Sequence, residues 1–437
     1  MIQNSSKIVK KISFLTQQEQ DIFRNHKLKL GKIIEKEFEF NLTDCYMPNL
    51  DSFFTSERFF IPELLKLKDE LNTTKNLLDK IDISTWNQHA KKCNLLGSLP
   101  WEITKNMNAE MCTIAWLKMT EILFAYNLLD LKSQTYSSFH LCEAPGAFIC
   151  AINHFLKTNY IPVESNLHSK YYDLNPNKKV SWTWNANSLN PYYDGNKSMI
   201  DDDRLISRTS SNWHFGADNS GNIMSSENIL NISYLRDEND LVTGDGSIDC
   251  EENFNEQEYI TSHLHFCELV ASLSLLKIGG NLVLKKFTFF ENETIGLLYL
   301  CCNLFKRVII CKPAASKSYN SETYLVGLSF LGVYEKVHQK LLSHVDEQST
   351  SKVLFGLDSI PYSFIQQVFN CANVFSSCTS AVIRNNICLF NDTKLLKKIY
   401  KEKENTVKEW MQRFMIKKID NEMKLVPSFK LETSRNK

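Results

Sequence analysis

Residues 140–157 read HLCEAPGAFICAINHFLK, and the change of periodicity inside that string decides the fold. Residues 139–142 form a short apolar strand, 143–147 a tight turn holding Pro145 and Gly146, and 148–156 return to helical spacing. Downstream the alternation repeats. A strand over 240–243 is followed by a helix over 257–277, a strand over 281–287 after Gly279 and Gly280, and a helix over 294–305. Strands alternating with helices predict parallel crossovers and a three-layer α/β sheet of Rossmann-like type. The next two apolar runs, 308–311 and 323–330, are joined only by a polar loop, which predicts an antiparallel pair at a sheet edge.

Outward from this core the pattern weakens. Residues 1–135 read as mostly helical, with three-and-four spacing over 61–78 and over 108–126, the second helix starting at Asn108 as a candidate N-cap. Residues 157–239 are polar and studded with aromatics, and read as strands carrying large insertions. After 335, alternating apolar segments continue to Phe390, and a charged helix over 394–415 leads into a polar tail. The expected division is a mostly helical region over 1–108, an α/β domain over 109–335 and a short C-terminal module over 336–437, too small for a second such sheet.

Composition bounds the class. The 437 residues carry 50 Lys+Arg against 50 Asp+Glu, and the 27 Phe, 16 Tyr and 7 Trp supply more buryable surface than a disordered chain carries. Thirteen cysteines without a CxxC pair fit a reducing compartment. No apolar run approaches the roughly 20 residues needed to span a bilayer, and the N-terminus lacks the apolar core of a secretory signal. A soluble intracellular protein is expected. Charge is segregated: residues 194–258 hold 4 basic against 15 acidic side chains, whereas 285–320 hold Lys285, Lys286, Lys306, Arg307, Lys312 and Lys317 against Glu291 and Glu293. A polyanion would prefer the second stretch.

In open parallel sheets, ligands bind beyond the carboxyl ends of the strands, where a glycine lets backbone approach them. Gly146 stands at such a turn. The GxGxxG spacing of a dinucleotide-dependent dehydrogenase is absent. The string CEAPGAF resembles the cofactor turn of the RrmJ/FtsJ-like family of S-adenosylmethionine-dependent ribose 2'-O-methyltransferases. Six ordered strings are similar to its eukaryotic mRNA cap group, closest to the enzymes acting on the second transcribed nucleotide: HLCEAPGAFICAINHFLK, WTWNANSLNPYY, FGADNSGNIM, VTGDGSIDC, VLKKFTFF and KPAASKSYNSETYLV. The resemblance covers about residues 35–335. It departs where many members place an acidic residue and a glycine, here His140 and Cys142.

Taken singly, Lys118 on an apolar helical stripe, Asp245 after a strand, Lys285 within a strand and Glu322 before the last strand each have a structural use. The resemblance makes them the family's Lys-Asp-Lys-Glu catalytic tetrad. The residue types suit the reaction, because a ribose hydroxyl is a poor nucleophile and a lysine whose pKa is depressed by burial and a second cation can take its proton. Lys285 is the expected base, Lys118 the second cation, and Asp245 and Glu322 the groups holding both ammoniums. The resemblance further implies S-adenosylmethionine as cofactor and a site made of Glu143, Ala144, Pro145, Gly146, Ala147, Phe148, Trp182 (or Trp184), Asn222, Ile223 and Asp245. Capped mRNA is the implied partner, lying along Lys312, Ser316 and Lys317, with Tyr192, Tyr193 and Trp213 as candidates for stacking on the cap. No metal site and no membrane contact are expected. The implied activity is cap methylation at the second nucleotide in the nucleus, the cytoplasm or both. The alternatives are methylation of the first nucleotide, or an inactive RNA-binding scaffold of the same fold.

Overall fold

The computed structural model describes residues 34–426, apart from 127, 130–134, 159–180, 197–199, 201, 235–237, 251–252, 318, 348–351, 391–392 and 415. Residues before 34 and after 426 lie outside the described residues. Seven strands form one sheet: β1 (Ile34–Glu39), β2 (Thr135–Leu141), β3 (Ser181–Ala186), β4 (Asn239–Gly244), β5 (Leu276–Lys286), β6 (Phe305–Pro313) and β7 (Thr323–Phe330). Their order is β1-β6-β7-β5-β4-β2-β3. The helices are α1 (Pro62–Lys75), α2 (Ile83–Cys93), α3 (Leu99–Met107), α4 (Ile114–Ala125), α5 (Ala147–Lys157), α6 (Arg204–Arg208), α7 (Ser226–Ser233), α8 (Gln257–Leu275), α9 (Asn292–Leu304), α10 (Glu335–Leu342), α11 (Tyr362–Leu389) and α12 (Thr393–Phe414).

β3, β2, β4 and β5 pair in parallel, as the alternating pattern predicts. β7 is antiparallel to its neighbours, but it is not at an edge: it inserts between β5 and β6. The edge belongs to β1, in a stretch expected to be helical, which pairs antiparallel with β6. The sequence of β1, IEKEFE, places a glutamate at every second position, so one face of the strand is charged throughout, and charges on an edge strand discourage further pairing. Asn108 corrects a second expectation. It does not start α4; it ends α3 in the left-handed region at φ 58°, a conformation asparagine tolerates better than most residues.

Alternation along the central strands builds two cores. Leu282 and Leu284 of β5 and Val242 of β4 face a cluster shared with α1, α8, α9 and α11, while Val283 and Leu241 face a cluster shared with α4, α5 and α12. The helices flanking the α/β domain are packed into these same cores: Phe364 of α11 stacks 5.5 Å from Phe40, and Trp410 of α12 is fully buried beside Phe414. The region read as strands carrying large insertions contains β3 and otherwise short helices among its described residues. No described helix is long and apolar enough to cross a membrane.

Candidate active site

Register places the chemistry. Lys285 pairs directly with Tyr324 across β5 and β7, and directly paired residues share a face, so both lie on the side facing α4. Lys286 points to the other face, where its ammonium is fully enclosed and burial lowers its pKa to about 8. Helix α4 brings Lys118 over β7, and the turn after β4 brings Asp245 to the end of β5. Lys118 Nζ pairs with Glu322 Oε1. Lys285 Nζ lies 3.0 Å from Asp245 Oδ1 and donates to the Asp245 carbonyl at 2.8 Å. All four predicted tetrad residues therefore meet at the carboxyl end of the parallel strands.

A fifth residue, Tyr324, joins the two pairs. Its hydroxyl donates to Asp245 Oδ1 at 2.9 Å, lies 3.4 Å from Glu322 Oε1 and accepts from Lys118 Nζ at 3.4 Å. Burial and the two carboxylates push its pKa far up, so it remains a donor. A tyrosine in an apolar strand reads as core from sequence alone; only its pairing opposite Lys285 marks it. Tyr324→Phe keeps the ring and removes the link, and is expected to slow any reaction run by this site about tenfold, the worth of one charge-assisted hydrogen bond. Turnover of the purified variant beside its melting temperature checks this.

The site's electrostatics correct the expected activation of Lys285. Burial does act to lower its pKa, but the carboxylates of Asp245 and Glu322 outweigh burial and hold the ammonium above the ordinary lysine value. Glu322 goes the other way: burial works against its charge, and Lys118 and Lys285 overcome it, holding the carboxyl well below the usual range. The site is thus a network of two lysine–carboxylate pairs joined through the Tyr324 hydroxyl.

The turn after β2 is built by its own side chains. Glu143 Oε1 accepts the backbone N–H groups of Phe148 and Ile149 at 2.8 and 3.2 Å, capping α5, while burial and then Asp245 push its carboxyl pKa well up. Ala144 N–H donates to Ser188 Oγ, and Ala144 and Pro145 are half-buried in the turn. Gly146 has φ 109°, and a Cβ there would fall inside the Leu205 side chain of α6. Backbone angle and packing both call for glycine here, at the turn where the sequence leads one to expect close approach of a ligand. Ala147 and Phe148 are buried, Phe148 lying under Tyr324 with ring centroids 6.1 Å apart. The departures from the family pattern are accommodated. His140 bridges Ser138 and Thr243 between β2 and β4, and Cys142 adopts φ 52°, the left-handed region where a glycine is favoured.

Several predicted contacts lie elsewhere. Trp182 is at the register of Tyr136 near the start of β3, so it sits at the far end of the strand from the site and donates to Ser138 Oγ. Trp184 and Trp213 pack edge to face in the core. The residues that follow β3 at the site end are Asn187 and Ser188, which sequence reading passed over. The Asn222 side chain accepts from Met224 N–H within its own turn, and Ile223 is core. Lys312 donates to Asn320 O, Asn320 Oδ1 and Glu322 O, and buried Ser316 donates to Glu322 Oε1 at 3.3 Å. Those two staple the two ends of the loop that joins β6 to β7. Lys317, Tyr192 and Tyr193 are exposed. Among the described residues no group of three or more His, Cys, Asp or Glu is placed to hold a metal.

This sheet order, with β7 inserted antiparallel and a lysine–carboxylate network at the carboxyl end, defines a Rossmann-type methyltransferase fold. Residues 113–330 match the FtsJ-like methyltransferase family and form a domain of that family. Beyond those bounds the chain is 37% identical over 391 residues to the mouse (Mus musculus) cap-specific mRNA (nucleoside-2'-O-)-methyltransferase 2, covering 85% of this chain and 48% of that one. It is 38% identical over 369 residues to the Danio rerio protein of the same name, covering 81% and 47%, and 31% identical over 423 residues to the Drosophila melanogaster one, covering 91% and 57%. The chain spans about half the length of these relatives.

Proposed function

We propose that the chain transfers a methyl group from S-adenosylmethionine to the ribose 2'-oxygen of the second transcribed nucleotide of capped mRNA, converting cap 1 to cap 2. The observation that carries this reading is the buried Lys118–Glu322 and Lys285–Asp245 pairs, linked through Tyr324 at the open end of the sheet. The names of the relatives support the choice of substrate. Glu143 Oε2 and Asn187 Oδ1 are buried without a hydrogen-bond partner beside the turn, and such acceptors fit the hydroxyl and ammonium donors of S-adenosylmethionine. When bound, that cofactor supplies an electrophilic methyl group on a sulfonium.

The protein's own part is positional and electrostatic. Lys285 spends hydrogens on Asp245 Oδ1 and O, leaving one direction free for a substrate hydroxyl. Lys118 and Lys285 together favour an alkoxide, and the two carboxylates keep both ammoniums in place. Exposed Lys317, with Tyr192 and Tyr193, serves the RNA strand and cap through charge and stacking. The substrate puts this work in the nucleus, the cytoplasm or both. Capped oligoribonucleotides incubated with a methyl-labelled cofactor, then digested and mapped, test the reading. Label on the second nucleotide is expected; label on the first, or none with intact binding, overturns it.

A further inference from the structure

Helix α4 carries a second buried ion besides Lys118. Glu121, three residues on and therefore on the same side of the helix, is fully buried. Its Oε2 accepts the Ala314 N–H at 2.6 Å and its Oε1 accepts the Ala315 N–H at 3.0 Å. Oε1 also accepts the indole N–H of Trp410 at 2.9 Å, across 289 residues of chain. A buried carboxylate is costly unless its lone pairs are occupied, and here two successive backbone amides and an indole occupy them.

The amides it grips open the loop that ends in the tetrad. Ser316, next in sequence, donates to Glu322 Oε1, and Lys312 closes the loop from below through the Asn320 and Glu322 carbonyls. Lys118 holds the Glu322 carboxylate. One turn of α4 therefore fixes both ends of the loop, Glu121 at 314–315 and Lys118 at 322. Trp410 brings in helix α12: it is fully buried, with its ring tilted 4.3 Å from that of Phe414, which in turn lies 5.1 Å from Phe124 of α4.

We propose that Glu121 is a positioning residue for the methyl-transfer site, and that Trp410 is the contact through which helix α12 sets it. Neither touches the reacting atoms; they act through the 313–322 loop on Glu322 and Lys118. Helix α12 thereby reaches the tetrad indirectly, through Glu121 and the loop.

The kinetic part of this inference rests on the methyl-transfer reading above; the structural part does not. Glu121→Gln replaces one acceptor by a donor facing an amide, and Trp410→Phe keeps an aromatic ring while removing the N–H. In the full chain, hydrogen exchange at Ala314 and Ala315 is expected to quicken about tenfold in both variants, the loss of one charge-assisted bond, with the central strands unchanged. On capped RNA, kcat is expected to fall up to about 100-fold for Glu121→Gln and less for Trp410→Phe, with KM for the methyl donor unchanged, because a small misplacement costs rate more than cofactor binding. If Glu121→Gln does not fold, Trp410→Phe decides alone. Unchanged exchange at 314–315, or slowing that appears only as a raised KM for the methyl donor, overturns the proposal. A wild-type chain without methyl transfer sinks the functional reading and leaves the exchange result to decide this one.

Discussion

Lys285→Ala is expected to lower methyl transfer to capped RNA by about 10³-fold or more, while binding of S-adenosylmethionine and the melting temperature stay close to those of the wild type. General-base groups contribute about 10²–10⁴-fold, and Lys285 also supplies charge to the developing alkoxide, so its loss removes two effects at once. The cofactor turn is built separately by β2, α5 and Glu143, which is why binding should survive. Removing the ammonium leaves Asp245 with the Tyr324 hydroxyl as a remaining donor. Lys285→Met, which keeps the stem packed in the sheet, guards against loss of fold as the cause. Retained turnover in either folded variant would reject the assignment.

The same residue fixes the expected pH profile. Burial pulls the Lys285 pKa down, but Asp245 and Glu322 pull it up further, so the free site holds the lysine protonated at neutral pH. If the neutral amine takes the hydroxyl proton, its population rises tenfold per pH unit below the pKa. Single-turnover rates should then climb with a slope near one over about pH 7–9, without a plateau in that window. A flat profile would mean that Lys285 works as an ammonium, steering the oxygen and stabilising its charge, and that the proton leaves by another route.

How much of this was legible in the chain depends on the distance over which each signal acts. The β2-turn-α5 unit and the parallel strands announce themselves through periodicity, which is local. Asp245, Lys285 and Glu322 are legible because they sit in recognisable strings, whereas Lys118 stands on an apolar helical stripe where nothing local makes it anything but a snorkelling residue. Tyr324 and Glu121 were missed because their roles exist only in register and packing: one faces Lys285 across two strands, the other meets an indole 289 residues away. Trp182 was misplaced for a related reason. Trp182 does lie in β3, but a residue near the start of that strand is four positions from the end where ligands bind. Lys312 shows the limit of charge counting. A lysine in a basic stretch looks available to a polyanion until three carbonyl oxygens are found on its ammonium. β1 was lost among helices because six residues are too few for the period to stand out beside long amphipathic neighbours.

Gly146→Ala is expected to destabilise the fold by about 2–5 kcal/mol, from roughly 1–2 kcal/mol for a left-handed backbone and about 1–3 kcal/mol for overpacking. It should also weaken binding of the methyl donor severely. Gly146 stands at φ 109° and its missing Cβ is occupied by Leu205, so α6 is seated directly on the turn that starts α5. The added methyl has to push α6 outward or twist the turn, and a twisted turn misaligns Glu143, whose carboxylate caps α5 from three residues upstream. The two contributions are separable. Leu205→Ala in the Gly146→Ala background makes room for the methyl but cannot relieve the backbone angle, so the double variant should regain the packing part alone. A double-mutant cycle read by denaturant unfolding is expected to give a favourable coupling of about 1–3 kcal/mol. Additive effects would show that Leu205 does not set the glycine requirement, and would return Gly146 to the role of giving a ligand close access to the backbone.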